Sequence, residues 1–202
     1  MILALDTSTA ACTAALFDAD GSLLARADEV IGRGHAERLV PMVAEMLDGR
    51  QPSRILVGCG PGSFTGLRVG IAAAHGMAIG WDAELKGFSS LALLAAGAPG
   101  SGPVAAAMIG GHGELFVQQF TRDPLAAAGP LQNLAPAEAA AAVTAPLAVG
   151  SGAAALVEAR GCGEALELLP TAANAIQLPA TLRSLHPRPI YARAPDARPK
   201  AA

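Results

Sequence analysis

Aromatic residues are scarce in this chain: one Trp, one Tyr and five Phe among 202 residues, or 3%. Its core must therefore be assembled from Ala, Leu, Val and Ile, and alanine buries little area per residue. Charge is thin too, 15% against 52% hydrophobic residues, which is the balance of a folded protein with ample core. So apolar a chain has two readings: a partner covers part of its surface, or its composition simply favours alanine. A basic excess is missing as well. The net charge of −3 leaves no footprint for direct, sequence-specific nucleic-acid binding, and only Arg183, Arg188, Arg193, Arg198 and Lys200 make the C-terminal end locally basic. The three cysteines, Cys12, Cys59 and Cys162, form no C-x-x-C pair, which argues against a disulfide framework or a zinc site and for a reducing compartment. His35, His75, His112 and His186 share no metal-ligand spacing, so no metal site is expected. The opening Met1-Ile2-Leu3-Ala4-Leu5-Asp6 lacks the basic start of a signal peptide, and no apolar run reaches the ~18 residues of a membrane span. A soluble, cytoplasmic protein without a membrane partner is expected.

What is present reads as alternating strands and helices. Ile2-Leu3-Ala4-Leu5 is a continuous apolar run, as a strand buried on both faces requires, and it ends at Asp6-Thr7-Ser8-Thr9. Residues 11–18 and 22–30 read as two further strands about the turn Asp18-Ala19-Asp20-Gly21. Leu39, Met42, Val43, Met46 and Leu47 recur at three and four residues, predicting a helix over 34–48 that Pro41 either starts or bends. His35 reads as a first-turn or surface residue. A strand over 54–59, a helix over 66–80, a strand over 82–88 and a helix begun by Ser89-Ser90 follow. The run Gly97-Ala98-Pro99-Gly100-Ser101-Gly102-Pro103 is the best boundary. Beyond it, strands at 104–109 and 114–120 flank Gly110-Gly111-His112-Gly113. Then come a helix at 136–143, a strand at 146–149, a helix at 153–160 and a helical candidate at 171–185 broken by Pro179. The expected organisation is a first half over 1–98, a smaller second half over 99–186 and a Pro/Arg-rich tail over 187–202 without regular structure of its own.

The stretch from Gly58 to Gly80, GCGPGSFTGLRVGIAAAHGMAIG, joins a strand, a glycine turn and a helix, the usual equipment for holding phosphate or for very close packing. No Gly-Lys-Ser/Thr follows at Walker spacing, and Ser63 stands where a dinucleotide fingerprint needs its third glycine. The helix carries two smooth stripes. Gly66, Gly70, Ala74 and Ala78 form one; Val69, Ala72, Ala73, Gly76 and Gly80 form the other. Each interior glycine costs about 0.5–1 kcal/mol against alanine, so close backbone packing must recover the loss. Asp6, Thr7 and Ser8 have two readings: a turn aimed at phosphate and its magnesium ion, or a polar turn in which Asp6 caps backbone N–H groups.

The chain resembles the TsaB (YeaZ) family, bacterial subunits for threonylcarbamoyladenosine synthesis on tRNA. The resemblance rests on Ile2 to Thr9, on His35-Ala36-Glu37-Arg38-Leu39 with Pro41-Met42, and above all on Gly60-Pro61-Gly62-Ser63-Phe64-Thr65-Gly66-Leu67-Arg68-Val69-Gly70. Ser89-Ser90-Leu91, Tyr191-Ala192-Arg193 and Pro195-Asp196-Ala197 also fit. It implies the α/β actin-like ATPase/sugar-kinase superfold: two RNase H-like halves with mixed sheets flanked by helices, the second half reduced. It also implies a non-catalytic subunit that supports TsaD in moving threonylcarbamoyl to the adenosine beside the anticodon of tRNAs reading codons that begin with A. TsaE is a further implied partner, a homodimer forms when the chain is alone, and the chain holds no cofactor of its own, ATP being used by the partner system. The helices over 34–48 and 66–80 are then the contact surface for TsaD or a second copy, through His35, Leu39, Met42, Val43, Met46, Val69, Gly70, Ala72, Ala73 and Gly76. The competing reading is an actin- or sugar-kinase-like ATPase or phosphotransferase working through Asp6, Thr7 and Ser8. A metal-dependent peptidase is weaker, because the His-x-x-x-His pair of TsaD-like proteins is missing. Gly110-Gly111-His112 departs from the Asp-Ala-Arg-like turn usual in the family, and no role is carried to it.

Overall fold

The structure, a computed structural model, describes residues 1–192; Arg193, Pro195-Asp196-Ala197, Arg198 and Lys200 lie outside the described residues. The first sheet is built from β1 (Ile2–Asp6), β2 (Ala11–Phe17), β3 (Leu23–Val30), β4 (Arg54–Gly58) and β5 (Glu84–Phe88). Its order is β3-β2-β1-β4-β5, with β1, β2 and β3 antiparallel in sequence and β4 and β5 parallel to β1. Every residue of β1 and β2 is buried, as the unbroken apolar runs require, whereas β3 alternates because it is the sheet edge. Helices α1 (His35–Leu47) and α2 (Phe64–Trp81) enter between β3 and β4 and between β4 and β5.

The second sheet repeats this plan. After α3 (Ser90–Gly97) come β6 (Val104–Ile109), β7 (Leu115–Arg122), β8 (Leu125–Ala127), β9 (Gln132–Leu134), α4 (Pro136–Ala142), β10 (Leu147–Val149), α5 (Ala153–Arg160) and β11 (Glu164–Leu166). The order is β11-β10-β6-β7-β8, with β9 also on β7. Strands β10 and β11 run parallel to β6, and β7 runs antiparallel to it. A central strand with an antiparallel hairpin on one side and two parallel strands on the other, twice over, is the actin-like arrangement of two RNase H-like sheets. The three-residue strands β8, β9, β10 and β11 make the second copy the smaller.

Between the sheets lies the largest core. Ala4, Phe17 and Leu56 face it from the first sheet, Val104, Ala106, Met108 and Phe120 from the second, and α3 fills the middle. That position explains why Leu91, Ala92, Leu93, Leu94 and Ala95 are apolar all round: from Ser90 to Ala95 α3 is buried on every side. Three of the five Phe, Phe17, Phe88 and Phe120, sit in this layer, so the few large rings are spent at the centre. Helices α1 and α2 cover the outer face of the first sheet, and α4 and α5 that of the second.

After residue 170 the chain returns to the first sheet. The helix expected over 171–185 is instead a 3₁₀ turn, Ala172–Gln177, and the short α6 (Ala180–Arg183) after Pro179. The Ala172 N–H donates to Thr13 Oγ1 at 2.9 Å, and Thr13 and Thr171 both donate to Asp28. Leu185 bridges to Gly87, and the Ile190 N–H reaches the Cys59 carbonyl at 2.8 Å. Residues 187–192 carry no helix or strand, yet they are strapped to α2 by His75, whose Nε2 lies 3.3 Å from the Pro187 carbonyl. Among the described residues no helix is long and apolar enough to cross a membrane, and no cluster of three His, Cys, Asp or Glu could hold a metal ion.

Candidate functional site

Asp6, Thr7 and Ser8 come off the end of the central strand β1 and are buried, with 0%, 1% and 2% exposure. The Ser8 N–H and Ser8 Oγ donate to one Asp6 carboxylate oxygen at 2.8 and 2.6 Å, and Ser90 Oγ donates to the other at 2.6 Å. Burial raises the Asp6 carboxyl above its ordinary value, and the Ser8 and Ser90 bonds pull it back only in part. Thr7 Oγ1 donates to the Gly66 carbonyl at 2.7 Å, and the Ser63 N–H donates to the Ser8 carbonyl at 2.7 Å. The three polar side chains are therefore satisfied within the chain. Capping, the plainer of the two expectations for this turn, describes their geometry.

The glycine turn is what covers them. A Cβ on Gly58 would lie 2.0 Å from the Asp6 carboxylate, and a Cβ on Gly66 would lie 2.1 Å from the Thr7 carbonyl oxygen. Gly70 faces the Thr7 hydroxyl in the same way, at 2.3 Å. The first smooth stripe of α2 is thus explained by the β1–β2 turn, onto which the helix backbone is pressed. Ser63 starts the helix by accepting from the Gly66 N–H at 3.2 Å. Ser89 caps α3, accepting from the Ala92 N–H at 3.3 Å, which leaves its neighbour Ser90 free to reach Asp6. The Ser90–Asp6 link was not legible: a pair of serines before a helix reads as a cap, and nothing local says that the second one crosses to another strand.

The second stripe is different. Ala72, Gly76 and Gly80 are exposed and Val69 and Ala73 half-buried, with nothing among the described residues within 4 Å of a Cβ at Gly76 or Gly80. Ile79 stands among them with 83% exposure, and Val40 on the neighbouring α1 with 51%. On α1 the apolar stripe points inward. Leu39, Met42 and Val43 are buried against the first sheet and only Met46 is partly open, so these three side chains cannot themselves meet a partner. His35 is also buried, its Nε2 3.2 Å from the Ala11 carbonyl, tying the helix start to β2. Gly70, pressed on Thr7, is likewise an internal contact. Pro41 neither starts nor ends α1, which runs through it. Arg38 clasps Glu29 at 2.6 and 2.7 Å and Glu45 at 3.1 Å on the outer side, holding both carboxyls below their ordinary range. Of the ten residues expected at an interface, Met46, Val69, Ala72, Ala73 and Gly76 are the ones at the surface.

A family model described as TsaD, tRNA N6-adenosine threonylcarbamoyltransferase, matches residues 28–193. The tRNA threonylcarbamoyladenosine biosynthesis protein TsaB of Escherichia coli K12 is 39% identical over 130 residues, 60% of this chain and 55% of that protein. TsaB of Haemophilus influenzae is 39% identical over 99 residues, 46% of this chain and 41% of its own. The matched part thus spans about half the length of these curated relatives. A solved structure of YeaZ from Pseudomonas aeruginosa superposes with a TM-score of 0.80 at 32% identity, covering 94% of this chain and 99% of that one. With 32% identity to YeaZ over 94% of this chain and 99% of that one, and a fold that superposes over that whole length, the chain belongs to the TsaB (YeaZ) family.

Proposed function

We propose that this chain is a non-catalytic subunit that supports a TsaD-type threonylcarbamoyltransferase acting on the adenosine beside the anticodon of tRNAs reading codons that begin with A. The observation that carries the reading is the bare face of α2. Gly76 and Gly80 each cost the helix about 0.5–1 kcal/mol, and unlike Gly66 and Gly70 their Cβ positions meet none of the described residues. With Ile79 exposed beside them on the same helix, the face suits close approach of another helix. The partner is TsaD, or a second copy when TsaD is absent. TsaE joins the assembly, which works in the cytoplasm, and ATP is used by the partner system rather than here. Support for a non-catalytic role comes from the site itself: Asp6, Thr7 and Ser8, the groups a kinase-like mechanism would need, spend their polar atoms on internal hydrogen bonds.

The test is co-purification of TsaD with Gly76→Arg and Ala73→Glu variants. Gly76→Arg displaces no contact among the described residues, whereas Ala73 is half-buried against the core beneath α2, so each variant is scored only once its urea unfolding matches wild type, and it should then lose TsaD. Folded variants that retain TsaD would move the interface elsewhere.

A further inference from the structure

A cleft beside the start of α2 is lined by none of the residues placed at the subunit interface. It encloses about 680 Å³ and is bounded by the first turn of α2, the Gly110-Gly111 turn after β6 and the strap at residues 190–192. Its walls are apolar rings and branched side chains. Phe64, Ile109 and Tyr191 are 62%, 61% and 57% exposed, unusual for large apolar groups in a chain with so few rings. One cation stands among them. The Arg68 guanidinium carbon lies 3.2 Å from the centre of the Phe64 ring and 5.6 Å from that of Tyr191, and Nη2 donates to the Tyr191 hydroxyl at 2.8 Å. Among the described residues Nη1 reaches only the Phe64 carbonyl, at 3.5 Å. No carboxylate among the described residues pairs with Arg68, and no Asp or Glu is among the lining residues.

These features select a ligand class. A concave site of this size, mostly apolar with one fixed polar group, is the ordinary form of a small-molecule pocket. Stacking orients the guanidinium plane and leaves donors of its fork to spare, an arrangement matched to a carboxylate. A nucleoside triphosphate fits poorly: among the described residues the wall offers one guanidinium, the His112 imidazole and no carboxylate to share a divalent ion. We propose that this cleft binds a small apolar carboxylate, its anionic end on Arg68 and its body against Phe64, Ile109, Phe116 and Tyr191. Arg68 and Phe64 lie about 80–120° round α2 from Gly76, on 3.6 residues per turn, and neither is among the residues placed at the subunit interface.

The experiment is an NMR titration of the ¹⁵N-labelled full chain with 2-naphthoate and with its uncharged analogue 2-naphthamide. Saturable shifts at Ile109, Gly110 and Tyr191 are expected, with the carboxylate bound at least about tenfold more tightly, the worth of one charge-assisted hydrogen-bond pair. Arg68→Met keeps the apolar stem and should erase that preference. Because Arg68 also holds Tyr191, a second variant on the opposite wall, Ile109→Glu, keeps the test independent of the strap; it should weaken naphthoate more than naphthamide. The proposal is overturned by the absence of saturable cleft shifts, by equal affinity for the two compounds, or by an unchanged preference in both variants. It is overturned equally if magnesium-ADP binds the same resonances more tightly than naphthoate, or if those resonances shift with protein concentration alone, which would place a second copy in the cleft.

Discussion

Two glycines ten residues apart on α2 should respond to alanine in opposite directions. At Gly76 the new methyl meets nothing within 4 Å among the described residues, so at protein concentrations where the chain is monomeric only the helix preference for alanine acts, and the variant gains about 0.5–1 kcal/mol. At Gly66 the same methyl would start 2.1 Å from the Thr7 carbonyl oxygen, a backbone atom of the turn that holds Asp6. The turn or the helix must give way, and overpacking of this kind costs about 1–3 kcal/mol. The intrinsic gain is common to both changes and largely cancels, so the two variants should differ by about 1–3 kcal/mol. In urea, with a slope of roughly 2 kcal/mol per molar, the midpoints should separate by about 0.5–1.5 M, Gly66→Ala below wild type or close to it and Gly76→Ala above. Coincident midpoints, or Gly66→Ala as the more stable chain, would refute the claim that one glycine stripe serves the chain's own packing and the other does not.

Two further outcomes follow from burial. The Asp6 carboxyl is raised above the 3.8 of a free group, so the folded chain holds its proton where the unfolded chain has released it; stability conferred by this site falls as pH climbs from 3.8 towards the folded value. Asp6→Asn removes that fall, and its stability relative to wild type should therefore rise with pH across the same window; a gap independent of pH in urea titrations would contradict the sealed geometry. The thiols of Cys12 and Cys59 are both pushed up to about 11, chiefly by burial, whereas Cys162 is exposed. Iodoacetamide should place one adduct on the native chain, at Cys162, and three on the unfolded chain; rapid native labelling of Cys59 would show that the strap over it opens.

Much of this fold could be read from residue pattern. The continuous apolar runs at β1, β4 and β6 and the inward stripe of α1 appear where the periodicity places them, because long elements repeat the same signal several times. The three-residue strands β8, β9 and β11 carry too few alternations to register. The last helical candidate failed because an alanine-rich stretch favours helix, while Pro179 and the bond from Ala172 to Thr13 hold it in a turn. At the site, the limit was of another kind. Leu39, Met42 and Val43 announce an apolar face without saying whether the chain's own sheet or another molecule covers it. The two stripes of α2 look alike in sequence and are separated only by what lies opposite, the Thr7 turn for one and, at Gly76 and Gly80, nothing among the described residues for the other. The Arg68–Phe64–Tyr191 cluster joins positions 123 residues apart, a pairing that no local spacing encodes.

Light scattering after size exclusion, on the wild-type chain and on Gly76→Arg, each alone and mixed with a TsaD-type partner, bears most directly on the role of the bare α2 face. The wild-type chain should elute as a dimer alone and as a heterocomplex when mixed, and Gly76→Arg as a folded monomer in both cases. A folded Gly76→Arg chain that assembles as wild type does would contradict the interface.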